Sequence, residues 1–160
     1  MKPILMFCLG LTASLLAPGV AAQTRYTVSV DEQEVTDART GLIWRRCAEG
    51  MTASGGLCNG SAGTFTHEAA LQRATAQASS TGKAWRLPNI KELSSIADKS
   101  RTSPAIDTTA FPGTPSNWFW SSSPNVGHSG GAWVVDFNNG YVDDFYRGLN
   151  YRVRLVRAGQ

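Results

Sequence analysis

The chain has 160 residues, 42% of them hydrophobic and 17% charged, and its 15 Lys and Arg against 12 Asp and Glu leave a formal charge of +3. That length suits one domain with its own core and is too short for two. So small a basic excess cannot neutralise a track of phosphates, which argues against a nucleic-acid partner, and a polar balance carried by Ser, Thr, Asn and Gly is not that of a disordered chain.

Lys2 is followed by an apolar run from Ile4 to Leu16 and by Val20-Ala21-Ala22 ahead of Gln23. This three-part pattern predicts a secretory signal over residues 1–22, cleaved after Ala22. The run is too short to span a bilayer, and no later segment approaches that length, so no membrane span is expected. Cys8 sits inside the run without the small residues a lipid-attachment site needs ahead of it, and leaves with the signal. The expected product is a periplasmic or extracellular single domain over residues 23–160. It keeps Cys47 and Cys58, an even pair in an exported chain, which predicts one disulfide. Ten residues between them and no second pair fit neither a zinc site nor a redox Cys-x-x-Cys.

Alternating Tyr26, Val28 and Val30 predict a strand over residues 25–35, and Asp37-Ala38-Arg39-Thr40-Gly41 reads as a turn into Leu42-Ile43-Trp44. Thr66 caps a predicted helix from His67 to about Ser80, with Ala70, Ala74 and Ala78 on one stripe and Gly82 as its stop. In a second, shorter helix Asn89 and Glu92 form a capping box, and Leu93, Ile96 and Ala97 face the core. Residues 99–117 make a long loop anchored by Ala105, Ile106 and Phe111. The end is all strand: residues 118–122, 132–138 and 141–145, with Asn139-Gly140 as a two-residue hairpin turn, and finally 151–157. Together these give an α+β domain, two helices packed on antiparallel sheets with long loops.

Several segments stand in a recognisable order: Thr40-Gly41-Leu42-Ile43-Trp44, Trp85-Arg86-Leu87-Pro88-Asn89-Ile90-Lys91-Glu92-Leu93, Phe119-Trp120-Ser121-Ser122-Ser123, residues 132–140 from Ala132-Trp133 to Asn139-Gly140, and Tyr151-Arg152-Val153-Arg154-Leu155-Val156-Arg157. As an ordered set they resemble the Lcl C-terminal domain family, named from a collagen-like adhesin, over about residues 36–157. That family is similar in turn to the C-type lectin and formylglycine-generating-enzyme superfamily, where an Arg-Leu-Pro before a helix with an early Glu and a closing Arg-x-Val-Arg strand recur. The resemblance implies a C-type-lectin-like fold and an adhesive role with binding to sulfated glycans. No collagen-like repeat accompanies it in this sequence, so trimerisation through such a stalk is not expected.

Trp44, Trp85, Trp120 and Trp133 sit in alternating or capped apolar segments and are expected in the core. Trp118 and the late tyrosines differ, because Tyr141, Tyr146 and Tyr151 lie among amides, carboxylates and guanidinium groups, a mixture suited to sugar faces or protein epitopes. A two-residue turn at Asn139-Gly140 would put Asp136 opposite Asp143 and Phe137 opposite Val142. Trp133, Val135, Phe137 and Val142 would share the core face. The facing carboxylates would need Arg147, Arg152 or, less favoured, Ca²⁺, since the Glu-Pro-Asn and Trp-Asn-Asp signatures of calcium-dependent lectins are missing. Arg147, Arg152, Arg154 and Arg157 form a late basic cluster that either serves an anionic glycan or charges a solvated edge strand. Asn125, His128, Asp143, Tyr146 and Asn150 fall where lectin-fold proteins diversified by retroelements carry their variable residues.

The chemistry of a formylglycine-generating oxidase needs a late pair of cysteines, and none follows Cys58. His67 and His128 have no motif around them, and no serine sits in a nucleophile elbow, so no enzymatic activity is expected. The expectation is an exported, non-catalytic domain, with no cofactor or metal, that binds an extracellular polysaccharide or anionic glycan. Its binding residues are Trp118, Asn125, Asp136, Asn138, Tyr141, Asp143, Tyr146, Arg147, Asn150 and Arg152. The alternatives are a protein-binding subunit of a surface or pilus assembly, a retroelement-diversified binding protein or, last, the oxidase.

Overall fold

A computed structural model describes residues 24–159. The predicted signal, Cys8 within it, and its cleavage point lie outside the described residues. The fold is mixed α and β, with strands β1 (Tyr26–Val28), β2 (Glu34–Asp37), β3 (Leu42–Arg45), β4 (Thr52–Ser54) and β5 (Leu57–Asn59), helices α1 (His67–Thr81) and α2 (Ile90–Ser95), and strands β6 (Trp118–Pro124), β7 (Gly131–Asp136), β8 (Val142–Tyr146) and β9 (Val156–Ala158). These make three antiparallel sheets, ordered β1-β2-β3-β9, β4-β5 and β6-β7-β8.

Both helices start, and α1 stops, where their capping residues direct. The Thr66 side chain accepts the Ala69 N–H, and Gly82 closes α1 in the left-handed conformation at φ 66°. Asn89 and Glu92 form the reciprocal capping box of α2. Cys47 and Cys58 are joined with their Cα atoms 5.5 Å apart, tying the β4-β5 hairpin to the segment after β3.

Three expectations are corrected. The strand over residues 25–35 is in fact two, because the Asp31 carboxylate accepts the Ser29 hydroxyl and the Gln33 N–H and folds the chain back, with Glu32 at φ 59°. The turn of the last hairpin is four residues long rather than two: Asp136 N–H donates to the Tyr141 carbonyl at 2.8 Å, Gly140 N–H to the Asp136 carbonyl at 2.7 Å, and Asp136 Oδ1 accepts the Asn138 N–H. Burial of Phe137 draws the turn inward, and the register becomes Val135 with Val142 and Val134 with Asp143. Asp136 and Asp143 therefore do not face each other, the conflict that called for a cation is not formed, and Val142 stands 42% exposed instead of in the core. Finally, residues 151–157 are regular only from Val156. Arg152 pairs with Phe119 and Val156 with both β3 and Arg86, so the segment stitches the first sheet to the third.

The core lies on both faces of β7. Val135 and Phe137 join Phe119, Trp44, Leu93, Ile106 and Phe111 on one side, while Ala132 and Val134 join Trp120, Trp85, Leu87, Ala70 and Leu155 on the other. Ala105, Ile106 and Phe111 anchor the long loop as expected, each fully buried. Of the four tryptophans assigned to the core, Trp44, Trp85 and Trp120 are there, and Trp133, in the middle of β7, is only half-buried.

Candidate binding surface

The third sheet ends at β8, which pairs with β7 alone. Along it and its flanks stand four large side chains exposed to solvent: Tyr141, Val142, Tyr146 and Leu149. Most of the predicted binding residues gather on this sheet, but at different places.

At the hairpin tip, Tyr141 is 63% exposed and the Lys99 ammonium lies 5.8 Å from its ring centroid. Asn138 is exposed and holds the Ser103 hydroxyl at 2.9 Å, whereas Asp136 is buried and committed to the turn.

Near the middle, Trp118 is half-buried, its ring edge-on to Phe145 at 5.0 Å. Phe145 is 5.4 Å from Tyr151, and Tyr151 is 5.1 Å from the buried Trp120. Tyr151 has its pKa raised, by burial and then by the charge of the exposed Asp143. Arg152 is half-buried, with its guanidinium donating to the Ala62 carbonyl.

The far end carries Asn125, Tyr146, Arg147 and Asn150. Tyr146 is 62% exposed, and its ring lies against two glycines: a Cβ on Gly148 would come within 2.7 Å of it and one on Gly130 within 3.1 Å. The ring is thereby held flat and open. Arg147 Nε donates to the Gly131 carbonyl at 3.0 Å. His128 Nδ1 lies 2.8 Å from Asp144 Oδ2, and the carboxyl of Asp144 is held below its usual range by that contact and by the Asn125 side chain. Asn150 is exposed at the sharp return toward Tyr151.

The late basic cluster is not a surface cluster. Arg154 is fully buried, donating to the Arg45 and Arg46 carbonyls and, at 2.7 Å, to Thr114 Oγ1, and its pKa is pushed down to about 9 by burial. Arg157 pairs with Glu34 at 2.6 Å and lies over the Trp85 ring. Alternation in the sequence correctly separates Arg152 and Arg154 from Val153 and Leu155, but both sides of this segment are covered because it runs between two sheets.

One feature escaped sequence reasoning. Beside the hairpin tip a cleft of about 860 Å³ is lined by residues of β1, the β2-β3 turn and the long loop, among them Arg25, Tyr26, Arg39, Lys99 and Asp107. No local motif could have assembled these. The signal available was only their type, three cations and a tyrosine in segments read as a strand, a turn and a loop.

The profile of the Lcl C-terminal domain matches residues 33–157. No curated protein matches the chain.

Proposed function

The chain belongs to the Lcl C-terminal domain family, and on that premise we propose that it is an exported, non-catalytic binding domain of C-type-lectin-like fold that recognises an extracellular polysaccharide or anionic glycan. The surface is the β8 side of the third sheet. The observation that carries this reading is the exposure of Tyr141 and Tyr146, 63% and 62%, at the two ends of one strand with Asn138, Asp143 and Asn150 exposed around them. Each exposed ring presents a flat apolar face to solvent, and a sugar's C–H face stacked on it, with amides and carboxylates taking its hydroxyls, would cover that face. Arg147, half-buried and with only its Nε engaged, supplies the contact for an acidic substituent.

The test is a glycan array probed with the purified, oxidised chain, with and without Ca²⁺, alongside Tyr146→Ala and Arg147→Ala. The expected result is calcium-independent binding to acidic glycans that Tyr146→Ala weakens at least tenfold while thermal stability is unchanged. A folded sample that binds no glycan, or binds equally without the Tyr146 ring, refutes it. Val142 and Leu149, 42% and 43% exposed in the same region, favour the second reading, a protein partner in a surface assembly. Salt separates the two, since binding through arginine to an acidic glycan weakens with ionic strength and an apolar protein interface does not. The oxidase reading lacks its thiols in the described residues, since Cys47 and Cys58 are bonded to each other.

A further inference from the structure

The cleft beside the hairpin tip has an uneven charge pattern. Arg25 Nη2 and Arg39 Nη2 both donate to the one carbonyl oxygen of Ser95, at 2.7 and 2.8 Å, so two guanidinium groups converge on a single acceptor. The carboxylate between them, Asp37, is taken by Arg25 through two hydrogen bonds of 3.0 and 2.8 Å, and gives Arg39 only an acceptor for its backbone N–H. Among the described residues no carboxylate lies within ion-pair distance of the Arg39 guanidinium.

Asp107 contributes to the same cleft. Its Oδ1 accepts the N–H groups of Thr109 and Ala110 at 2.9 and 3.1 Å, and no cation among the described residues pairs with it. The other acid of the cleft, Asp98, is already held by Ser100 and by Arg101 at 2.9 Å. Tyr26 ties these groups together. Its ring is fixed edge-on to Phe111 at 5.2 Å. Its hydroxyl pKa is pushed up to about 12, by burial first, and the fields of Arg25, Asp37, Arg39 and Asp107 all reach it. One guanidinium and one carboxylate without ion-pair partners thus flank one rigid ring, with Val28, Ala97 and Ala110 as apolar lining, while the remaining charge of the cleft, the Lys99 ammonium, lies at its rim 5.8 Å from the Tyr141 ring centroid.

We propose that this cleft binds a small zwitterion, an amino acid or short peptide, whose carboxylate is taken by the Arg39 guanidinium and whose ammonium is taken by Asp107. A volume of about 860 Å³ accommodates a ligand of that size with its side chain on the apolar lining. A polyanionic glycan is a poorer occupant, because Asp107 faces it as a like charge, and a neutral sugar leaves both charges unanswered. The cleft meets the β8 surface only at the hairpin tip, where Lys99 lies against Tyr141, and it includes none of Tyr146, Arg147 or Asn150 at the far end.

Isothermal titration of the purified, oxidised chain tests the assignment. The probes are free L-amino acids, alanyl-alanine, N-acetyl-alanine, alaninamide and glucuronate. Binding of the amino acids or of the dipeptide is expected, the better of the two identifying the occupant. Acetylation or amidation should each weaken it about tenfold or more, the loss of one charge-assisted contact. Arg39→Ala and Asp107→Asn should do the same, and asparagine keeps an oxygen for Thr109 and Ala110, so the loop is retained. Tyr146→Ala should leave this binding untouched, which separates it from glycan recognition. Absence of heat from every probe, glucuronate or N-acetyl-alanine binding as tightly as the parent amino acid, or unchanged binding by Arg39→Ala would each overturn the proposal.

Discussion

Asp37→Asn is the substitution that most directly tests how the first sheet organises the cleft. Asp37 ends β2 fully buried, and its carboxylate accepts two hydrogen bonds from Arg25 and one from the Arg39 N–H. Burial alone would raise its pKa, but the Arg25 hydrogen bonds, the Arg39 N–H and the Arg25 charge outweigh it and hold the carboxyl below its ordinary range. Asparagine keeps an oxygen for Arg39 but turns an amide donor toward the guanidinium. Removing one partner of a fully buried pair costs about 3–5 kcal/mol, but Arg25 is 31% exposed and can rehydrate, so about 2 kcal/mol is the expected loss. With a urea slope of about 1.5 kcal/mol/M this lowers the unfolding midpoint by about 1.3 M at pH 7. A depressed carboxyl contributes stability above its unfolded pKa, about 3.9, and loses it as pH falls through the lower folded value. The difference between the two proteins should therefore be full at pH 7 and shrink below about pH 4. A midpoint change under about 0.3 M, or a difference that persists undiminished at low pH, would refute the reasoning.

Reduction of Cys47–Cys58, or replacement of both by Ser, should cost about 3 kcal/mol in denaturant unfolding, as expected for releasing a short closed loop, with hydrogen exchange rising first in β4 and β5. Gly50→Ala should lower stability by about 2–4 kcal/mol by thermal unfolding, since Gly50 has φ 94° and a Cβ there would lie 2.7 Å from the Gly63 nitrogen and 2.9 Å from the Ser61 oxygen. Gly55→Ala, also at positive φ but with nothing within 4 Å, should cost less, about 1 kcal/mol, and the contrast isolates the backbone collision.

Features encoded by neighbours in sequence were legible in the residues. Thr66, Asn89 and Glu92 mark helix starts by side chains that reach three positions, Gly82 marks the end of α1 by a backbone conformation open to glycine, and the disulfide was legible from an even pair of cysteines after the predicted signal. What failed was set by distant packing. Asn139-Gly140 carries the signal of a two-residue turn, yet burial of Phe137 among Phe119, Leu93 and Ile106 lengthens the loop and shifts the register. Arg152 and Arg154 show the alternation of an edge strand, but the segment runs between two sheets and both of its sides are covered. Tyr141 and Tyr146 were identifiable as candidate rings by type, while the cleft was not, because Arg25, Arg39, Lys99 and Asp107 come from three segments with no shared pattern.

The open edge of β8 poses a question of its own, since an unpaired strand invites addition of another chain. The hydrogen bonds from Asp136 N–H to Tyr141 and from Arg147 N–H to Gly130 fix which residues point toward β7, so the backbone groups of Val142, Asp144 and Tyr146 point away from the sheet. Two of these outward groups are already used: Asp143 Oδ1 accepts the Asp144 N–H at 2.8 Å, and the Tyr146 carbonyl accepts the Leu149 N–H at 3.0 Å. With two of the six outward groups engaged, the edge is a poorer template for strand addition than a bare one, and the rings and amides along it suit recognition by side chains. Asp143→Val should free the Asp144 N–H and remove a charge from the edge while adding a β-branched side chain. Sedimentation velocity over a concentration series should then show association that the parent chain lacks at equal concentration. If the variant sediments as the parent does, the Asp143 side chain is not what keeps this edge closed.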